Sequence, residues 1–418
     1  MPDTYDDRLP LVDDQALSSN PIDNRPSAPA DETRNIAIRR PGDKEIATLE
    51  VRGDLFTNWT SVRVEQKVTQ AFPTFQFECT EESPVPLATS ELQFVPGDIV
   101  RVYVGGVSAV FGYITERHVG YDATNHGVRL IGCGDTIDLT NSSVPLEKIS
   151  GHDGKNWLQI AKDISDHLKI AIIPMGAVDL KPFDNVHVQP GETPMQVMER
   201  YARMRNIVIG SNANGGLLAI GEHSAVPQGG LTEGYNILRA NCVVRDEMVY
   251  KRIFAVGQDK SGDNQNGDQS NKLVAFRPGT STRNRYQVVP TDIADGQHGV
   301  ERRADMEVVF TEGSRIEAHI TVQGWFKDNN QSDEVWRAGE YYTVNSPSLI
   351  LFDVVLGCAG CTYEQSNAGT TTTLEMVDPR HMNGRLNFRK EQEEYNKLKR
   401  AEDAAKAAAA QAEKDKAK

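Results

Sequence analysis

Phe94-Val95-Pro96-Gly97-Asp98-Ile99-Val100-Arg101-Val102-Tyr103-Val104 decides the fold class. Pro-Gly-Asp is turn chemistry, because proline presets one backbone angle and glycine accepts the conformation that other residues avoid. From Ile99 the side chains alternate. Val100, Val102 and Val104 fall on one face, and Arg101 and Tyr103 on the other, which is the period of a strand covered on one side.

The same pattern recurs on both sides of this stretch. Ser61-Val62-Arg63-Val64-Glu65 and Phe75-Gln76-Phe77-Glu78-Cys79 alternate before it. Val110-Phe111-Gly112-Tyr113-Ile114 and Val128-Arg129-Leu130-Ile131 follow it, separated by turn signals at Gly105-Gly106 and 123–127. Short alternating strands at this spacing predict an antiparallel barrel or sandwich over residues 35–148.

Residues 149–232 change period. Trp157, Ile160, Ala161, Ile164 and Leu168 share one helical face, with Asp153 as the expected N-cap. The segment Lys169–Ile173 reads as a strand that Pro174 stops. Thr193-Pro194-Met195-Gln196 carries a capping box with proline at the first helical position, and Met195, Met198, Tyr201 and Ala202 line one side of that helix. A hairpin is expected between 207–209 and 217–220, so this stretch is a small α+β module.

Residues 233–383 return to strands, expected at Val249–Val256, Arg285–Val289, Met306–Phe310, Glu317–Val322, Tyr341–Val344, Leu349–Leu356 and Thr370–Met376, with Asp259–Asn271 an exposed loop. The two β regions share an outline. Pro96-Gly97-Asp98 and Ala338-Gly339-Glu340 each open a strand, and two further strands follow each at matching offsets. Two readings stand: common turn spacing in β proteins, or two related barrels flanking the α+β module. The predicted class is therefore mainly β with an α+β insert.

The ends differ in composition. Residues 1–34 are acidic, rich in Pro, Ser and Asn, and read as an arm without a core of its own. Residues 384–418 are rich in Ala, Glu and Lys and predict a charged helix. That helix is either solvated or a docking element with Tyr395 and Leu398 on its contacting stripe.

The chain has 418 residues and a net charge of −14. The acidic balance argues against a protein that coats nucleic acid. Neither a membrane span nor a secretory signal is expected. Five cysteines, widely scattered, do not describe a disulfide framework, and Cys79, Cys133 and Cys242 are expected as small buried hydrophobes.

No catalytic or metal-binding pattern in the sequence is complete. Cys358-Ala-Gly-Cys361 lacks a second ligand pair for zinc and a helix start for redox work. An incidental pair, a disulfide and a metal site all remain open for it. The histidines are not spaced as a zinc motif, although His118 and His126 could face each other across a hairpin. Gly151-His152-Asp153-Gly154-Lys155 lacks phosphate-loop spacing, and residues 262–268 lack calcium-loop spacing. Asp135 and Asp138 are paired carboxylates of a kind any acidic protein carries. No catalytic residue, cofactor or metal ligand is assigned, and the residues read as a β-rich structural protein, not an enzyme.

From Trp59-Thr60-Ser61-Val62-Arg63-Val64 through Phe72–Phe77, Phe94–Val102, Gly112-Tyr113-Ile114, Val128–Gly132 and Asp135–Leu139, the chain resembles the N-terminal region of baseplate hub proteins of Mu-like contractile-tailed phages. These are relatives of the late control gene D family and, more distantly, of the VgrG proteins of type VI secretion. Gln189–Thr193, Gly324-Trp325-Phe326, Val335-Trp336 and Ala338-Gly339-Glu340 extend the resemblance, to roughly residues 36–380. It implies a homotrimeric virion protein in the tail baseplate, assembled in the host cytoplasm. Two tube-like barrels per subunit would let a threefold hub join a sixfold tail tube, or its initiator, to a threefold central spike. Other baseplate wedge proteins would surround it, and viral DNA would pass through without specific binding. The acidic N-terminus, the Cys358/Cys361 pair and the C-terminal helix depart from the family pattern. A VgrG-like hub of a secretion or bacteriocin-like injection machine is the alternative within this class. A carbohydrate-binding or hydrolytic baseplate protein is the alternative outside it.

Overall fold

The computed structural model describes residues 45–68, 70–80, 94–121, 126–258, 272–291, 296–327 and 334–383. The expectations for residues 1–34, for Asp259–Asn271 and for the C-terminal segment with Tyr395 and Leu398 lie outside the described residues.

The first β region contains β1 (Ala47–Val51), β2 (Asp54–Phe56), β3 (Ser61–Lys67), β4 (Thr74–Thr80), β5 (Ile99–Val104), β6 (Val107–Tyr121) and β7 (His126–Gly134). All their pairings are antiparallel and run β3-β4-β7-β6-β5-β1-β2. The predicted alternation holds, with Val100, Val102 and Val104 buried in β5 and Val62 and Val64 in β3. Gly105 and Gly106, both at positive φ, form the two-residue turn between β5 and β6. Two successive left-handed residues match the twist of a tight hairpin, and glycine adopts them without a Cβ clash.

The α+β module follows, with α1 (Asp138–Asn141), α2 (Trp157–Ser165), β8 (Ile172–Met175), α3 (Pro194–Arg205), β9 (Val208–Ser211) and β10 (Leu217–Ile220). Helix α2 buries Trp157, Ile160, Ala161 and Ile164, and α3 buries Met195, Met198, Tyr201 and Ala202, as their spacing predicted, but Leu168 lies past the end of α2 in a 3-10 turn and is half-buried. The capping box of Thr193 and Gln196 is present. Asp153 is not the cap of α2. Asn156 is, in a capping box with Gln159, while Asp153 accepts from the amide of Val186 at 2.7 Å. Pro174 does not stop its strand but lies inside β8. That is tolerated because β8 is the edge of the sheet β8-β10-β9, where a missing N–H breaks no ladder.

The second β region contains β11 (Pro227–Thr232), β12 (Ile237–Val244), β13 (Arg252–Gln258), β14 (Lys272–Pro278), β15 (Tyr286–Thr291), α4 (Gly296–Gly313), β16 (Ile316–Gln323), β17 (Tyr341–Ser346), β18 (Leu351–Ser366), β19 (Gly369–Val377) and α5 (Pro379–Asn383). Here the strand expectations need correction. Val249–Val256 and Arg285–Val289 do not belong to the second barrel. They contribute β13 and β15 to a separate sheet, β14-β13-β15, inserted between β12 and β16. Met306–Phe310 is not a strand but part of α4, which packs Val300 and Ala304 against Ala255 and Ala275 in a small core of its own. The sheet face away from α4 exposes Val274, Phe276, Tyr286 and Val288.

Among the described residues the two expected tube-like barrels do not appear as closed barrels. The two β regions form one thirteen-stranded sheet, joined where β3 meets β18. Among the described residues neither half closes on itself, since β3 pairs across to β18 rather than back to β1. One continuous core, with Trp325, Trp336, Phe75 and Phe77 among its fully buried side chains, spans both halves.

Candidate functional site: a seam between two repeated halves

The halves repeat each other strand by strand. The first runs β3-β4-β7-β6-β5-β1, and the second runs β12-β16-β19-β18-β17-β11. β5, β6 and β7 have 6, 15 and 9 residues, and β17, β18 and β19 have 6, 16 and 9. The long strand of each triplet carries a bulge, between Ile114 and Glu116 in β6 and between Cys358 and Gly360 in β18.

The turns that open the triplets match bond for bond. The Gly97 amide donates to the Ile114 carbonyl at 2.8 Å, and the Ile114 amide to the Asp98 carbonyl at 3.0 Å. The Gly339 amide donates to the Cys358 carbonyl at 2.8 Å, and the Cys358 amide to the Glu340 carbonyl at 2.8 Å. Common turn spacing does not reproduce a bonded pattern of this kind. The halves differ in their last pairing and in one connection: β1 lies antiparallel to β5 whereas β11 lies parallel to β17, and an insert separates β12 from β16 where β3 runs directly into β4.

The seam itself is an antiparallel ladder from Gly360 opposite Lys67 to Gln365 opposite Val62. Its inner side chains are closed to water, with Val64 0% and Tyr363 1% exposed. Tyr363 donates its hydroxyl proton to the Trp336 carbonyl. Along the outer side run charges. Lys67 Nζ sits 2.9 Å from Glu375 and 3.0 Å from Glu65, and Arg63 pairs with Glu364. Burial pushes the Glu65 carboxyl up, but its hydrogen bond to Lys67 and the charges of Lys67 and Arg63 outweigh that and hold it below the usual carboxylate range. Lys67 is raised, first by its hydrogen bond to Glu375.

The sequence motifs resolve as packing. Cys358 and Cys361 are both fully buried free thiols, pushed up by burial. Three residues apart on a regular strand they would face opposite ways, and the bulge between Cys358 and Gly360 turns both into the core. Cys79 and Cys133 are buried, while Cys242 is only half-buried. His118 does not face His126. It lies opposite Arg129, exposed and 2.9 Å from Glu116, and Tyr121 takes the place across from His126. His152 is buried with its Nε2 2.6 Å from the Lys148 carbonyl. Asp135 accepts the Gly216 amide at 3.1 Å and ties β7 to the α+β module; its carboxyl is raised by burial, as is that of Asp138. Among the described residues no group of three or more His, Cys, Asp or Glu could hold a metal, and no helix is long and apolar enough to cross a membrane. Strand β1, Ala47-Thr48-Leu49-Glu50-Val51, is absent from the expected strands although its period-2 alternation marks it, whereas β12, Ile237-Leu-Arg-Ala-Asn-Cys-Val-Val244, breaks the alternation.

Residues 46–134 match the family described as "Mu phage baseplate assembly protein GpP-like, N-terminal". Residues 136–221 match "Baseplate hub protein gp44-like, second domain". The baseplate hub protein gp44 of Escherichia phage Mu is 23% identical over 312 residues, covering 72% of this chain and 78% of that protein. Among solved structures, the 43 kDa tail protein of prophage MuSo2 from Shewanella oneidensis superposes with a TM-score of 0.69 at 19% identity, covering 81% of this chain and 99% of that one. A tail protein from Neisseria meningitidis gives 0.66 at 17% identity, covering 81% and 98%. At those identities the two structures establish a likeness of fold.

Proposed function

The chain belongs to the Mu-like phage baseplate hub family, structural proteins of the phage tail, and on that premise we propose that it works as a homotrimer joining the tail tube, or its initiator, to the central spike. The observation that carries this reading is the duplication within one chain, from the repeated strand order to the matched turns at Gly97 and Gly339. A subunit with two equivalent halves presents six equivalent half-sheets as a trimer. Such an object can meet a sixfold ring on one side and a threefold one on the other, because each neighbour finds its own symmetry repeated in the hub.

The net charge of −14 fits the same role. A channel that passes DNA must not hold phosphate, and an acidic wall repels it. In this reading DNA is conducted without specific contacts, wedge proteins surround the hub, and the protein acts in the virion after assembly in the host cytoplasm. The C-terminal segment with Tyr395 and Leu398 is the proposed docking element for a neighbouring baseplate protein.

The mass of the purified full-length protein in solution, with negative-stain views, tests the assembly. A trimeric ring with a pore supports it, and a monomer at working concentration overturns it. Truncation after Asn383 tests the docking element: trimers should form while baseplate assembly stops.

A further inference from the structure

The strands that correspond to the two seam strands each have an open edge. Among the described strands β12 has one neighbour, β16, and the stretch of β6 beyond Ile114 has one neighbour, β7. β12 has eight residues and no proline, and it exposes Leu238, Val243 and Val244. An exposed strand edge with apolar side chains is a template for another strand.

The ladders say which positions correspond. Ile114 lies opposite Gly132, Gly132 opposite Phe75, and Phe75 opposite Val64. In the second half Cys358 lies opposite Met376, Met376 opposite Ala318, and Ala318 opposite Cys242. Since Ile114 and Cys358 are equivalent, Val64 of β3 is equivalent to Cys242 of β12. By the same step Tyr363, beyond the bulge of β18, is equivalent to Val119 of β6. Val64 and Tyr363 face each other in the seam and are closed to water. Their equivalents lie open: Val119 is 40% exposed and Cys242 half-buried.

We propose that the seam is repeated between molecules, with β12 of one copy pairing antiparallel with the outer half of β6 of the next. The seam register carries over, so that Val119 meets Cys242, His118 meets Val243 and Glu116 meets Arg245. Arg245 already holds Glu317 at 2.6 Å and stands where Lys67 bridges two carboxylates in the seam. The contact is head-to-tail, since each copy offers β12 on one side and β6 on the other, and such contacts close into a ring when the rotation allows it. The occupant of both edges is therefore a second copy of this chain. The inference rests on the trimeric reading given above and adds the strands and their register.

Cross-linking of the full-length assembly tests it. Val119→Cys should form a disulfide with the native Cys242 of the neighbour under mild oxidation, converting monomer bands to dimers and trimers on non-reducing gels. Val119→Cys with Cys242→Ser should not. His118→Cys with Val243→Cys in the Cys242→Ser background samples the adjacent pair, whose side chains point to the other face. Trimers that link through neither pair overturn the strand register and leave the hub reading standing. A monomeric mass overturns both. Protection of the β12 amides from hydrogen exchange in highly dilute monomer would mean that another part of the same chain covers this edge, and would overturn the proposal as well.

Discussion

Ile114 and Cys358 occupy one position twice: each carbonyl accepts from a turn glycine, each amide donates to the carbonyl of the acid that follows that glycine, and each stands at the start of a bulge. The glycines are Gly97 and Gly339, with φ of 96° and 91°. A Cβ at Gly97 meets nothing within 4 Å, and one at Gly339 meets only Val68, at 3.7 Å.

The cost of an alanine there is thus conformational rather than steric. Gly97→Ala and Gly339→Ala should each destabilise the chain by about 1–2 kcal/mol, and by similar amounts. Urea denaturation of the two variants measures this. A near-zero cost at either site would show that its turn is not held in the glycine conformation.

Thiol accessibility should follow burial. Cys79, Cys133, Cys358 and Cys361 are at most 5% exposed, and burial raises the Cys133 thiol to about 11. In dilute native protein Cys242 should react first with a thiol reagent. The other four should lag by at least about a hundredfold if the core opens at a cost of about 3 kcal/mol or more. Mass spectrometry of partially labelled protein identifies the sites, and early labelling of Cys358 or Cys361 would contradict the bulge geometry.

The strands that sequence made legible are those with one wet and one dry face. Val100, Val102 and Val104 alternate because β5 is solvated on one side. Part of helix α4 resembles a strand in sequence because Val308 and Val309 sit side by side in a short apolar run, whereas the four-residue spacing of Val300, Ala304 and Val308 marks its buried stripe. The seam was not legible at all. Which strand Val62 and Val64 pair with depends on a partner some three hundred residues away, and closing β3 onto β1 would have buried the same faces. The repeat was legible in outline from Pro96-Gly97-Asp98 and Ala338-Gly339-Glu340, but its proof lies in backbone bonds that side chains do not encode.

Acid should weaken the seam. The folded-state pKa of Glu65 lies below its unfolded value of about 4.3, so its pairing with Lys67 and Arg63 stabilises the fold above that value. The contribution is lost as the pH falls through the folded pKa. Glu65→Gln should therefore lower the urea midpoint at pH 7 and lower it less at pH 3. An equal loss at both would mean that the carboxylate charge does not act in the seam.

The segment between β12 and β16 should be removable. Val244 lies opposite Ile316, and the Arg245 amide donates to the Arg315 carbonyl at 2.8 Å, so the two ends of the insert already sit across a hairpin. In the first half the equivalent strands, β3 and β4, are joined directly by residues 68–73. The insert packs around its own small core of Ala255, Ala275, Val300 and Ala304, apart from the large one. Its ties to the rest include the pairs Arg302–Asp179 and Arg380–Glu312, and Arg380 would keep Asp378 at 2.6 Å without it. Replacing residues 247–313 with Asn-Gly, a pair suited to tight hairpin turns, should give a chain that unfolds cooperatively, loses the helical signal of α4 and the contribution of β13–β15, and keeps the β signal of the large sheet in circular dichroism. Strand β12 needs β16 beside it rather than the insert, so the shortened chain should also keep the oligomeric mass of the full one. Aggregation or a non-cooperative transition would show instead that the insert helps to hold the second half together.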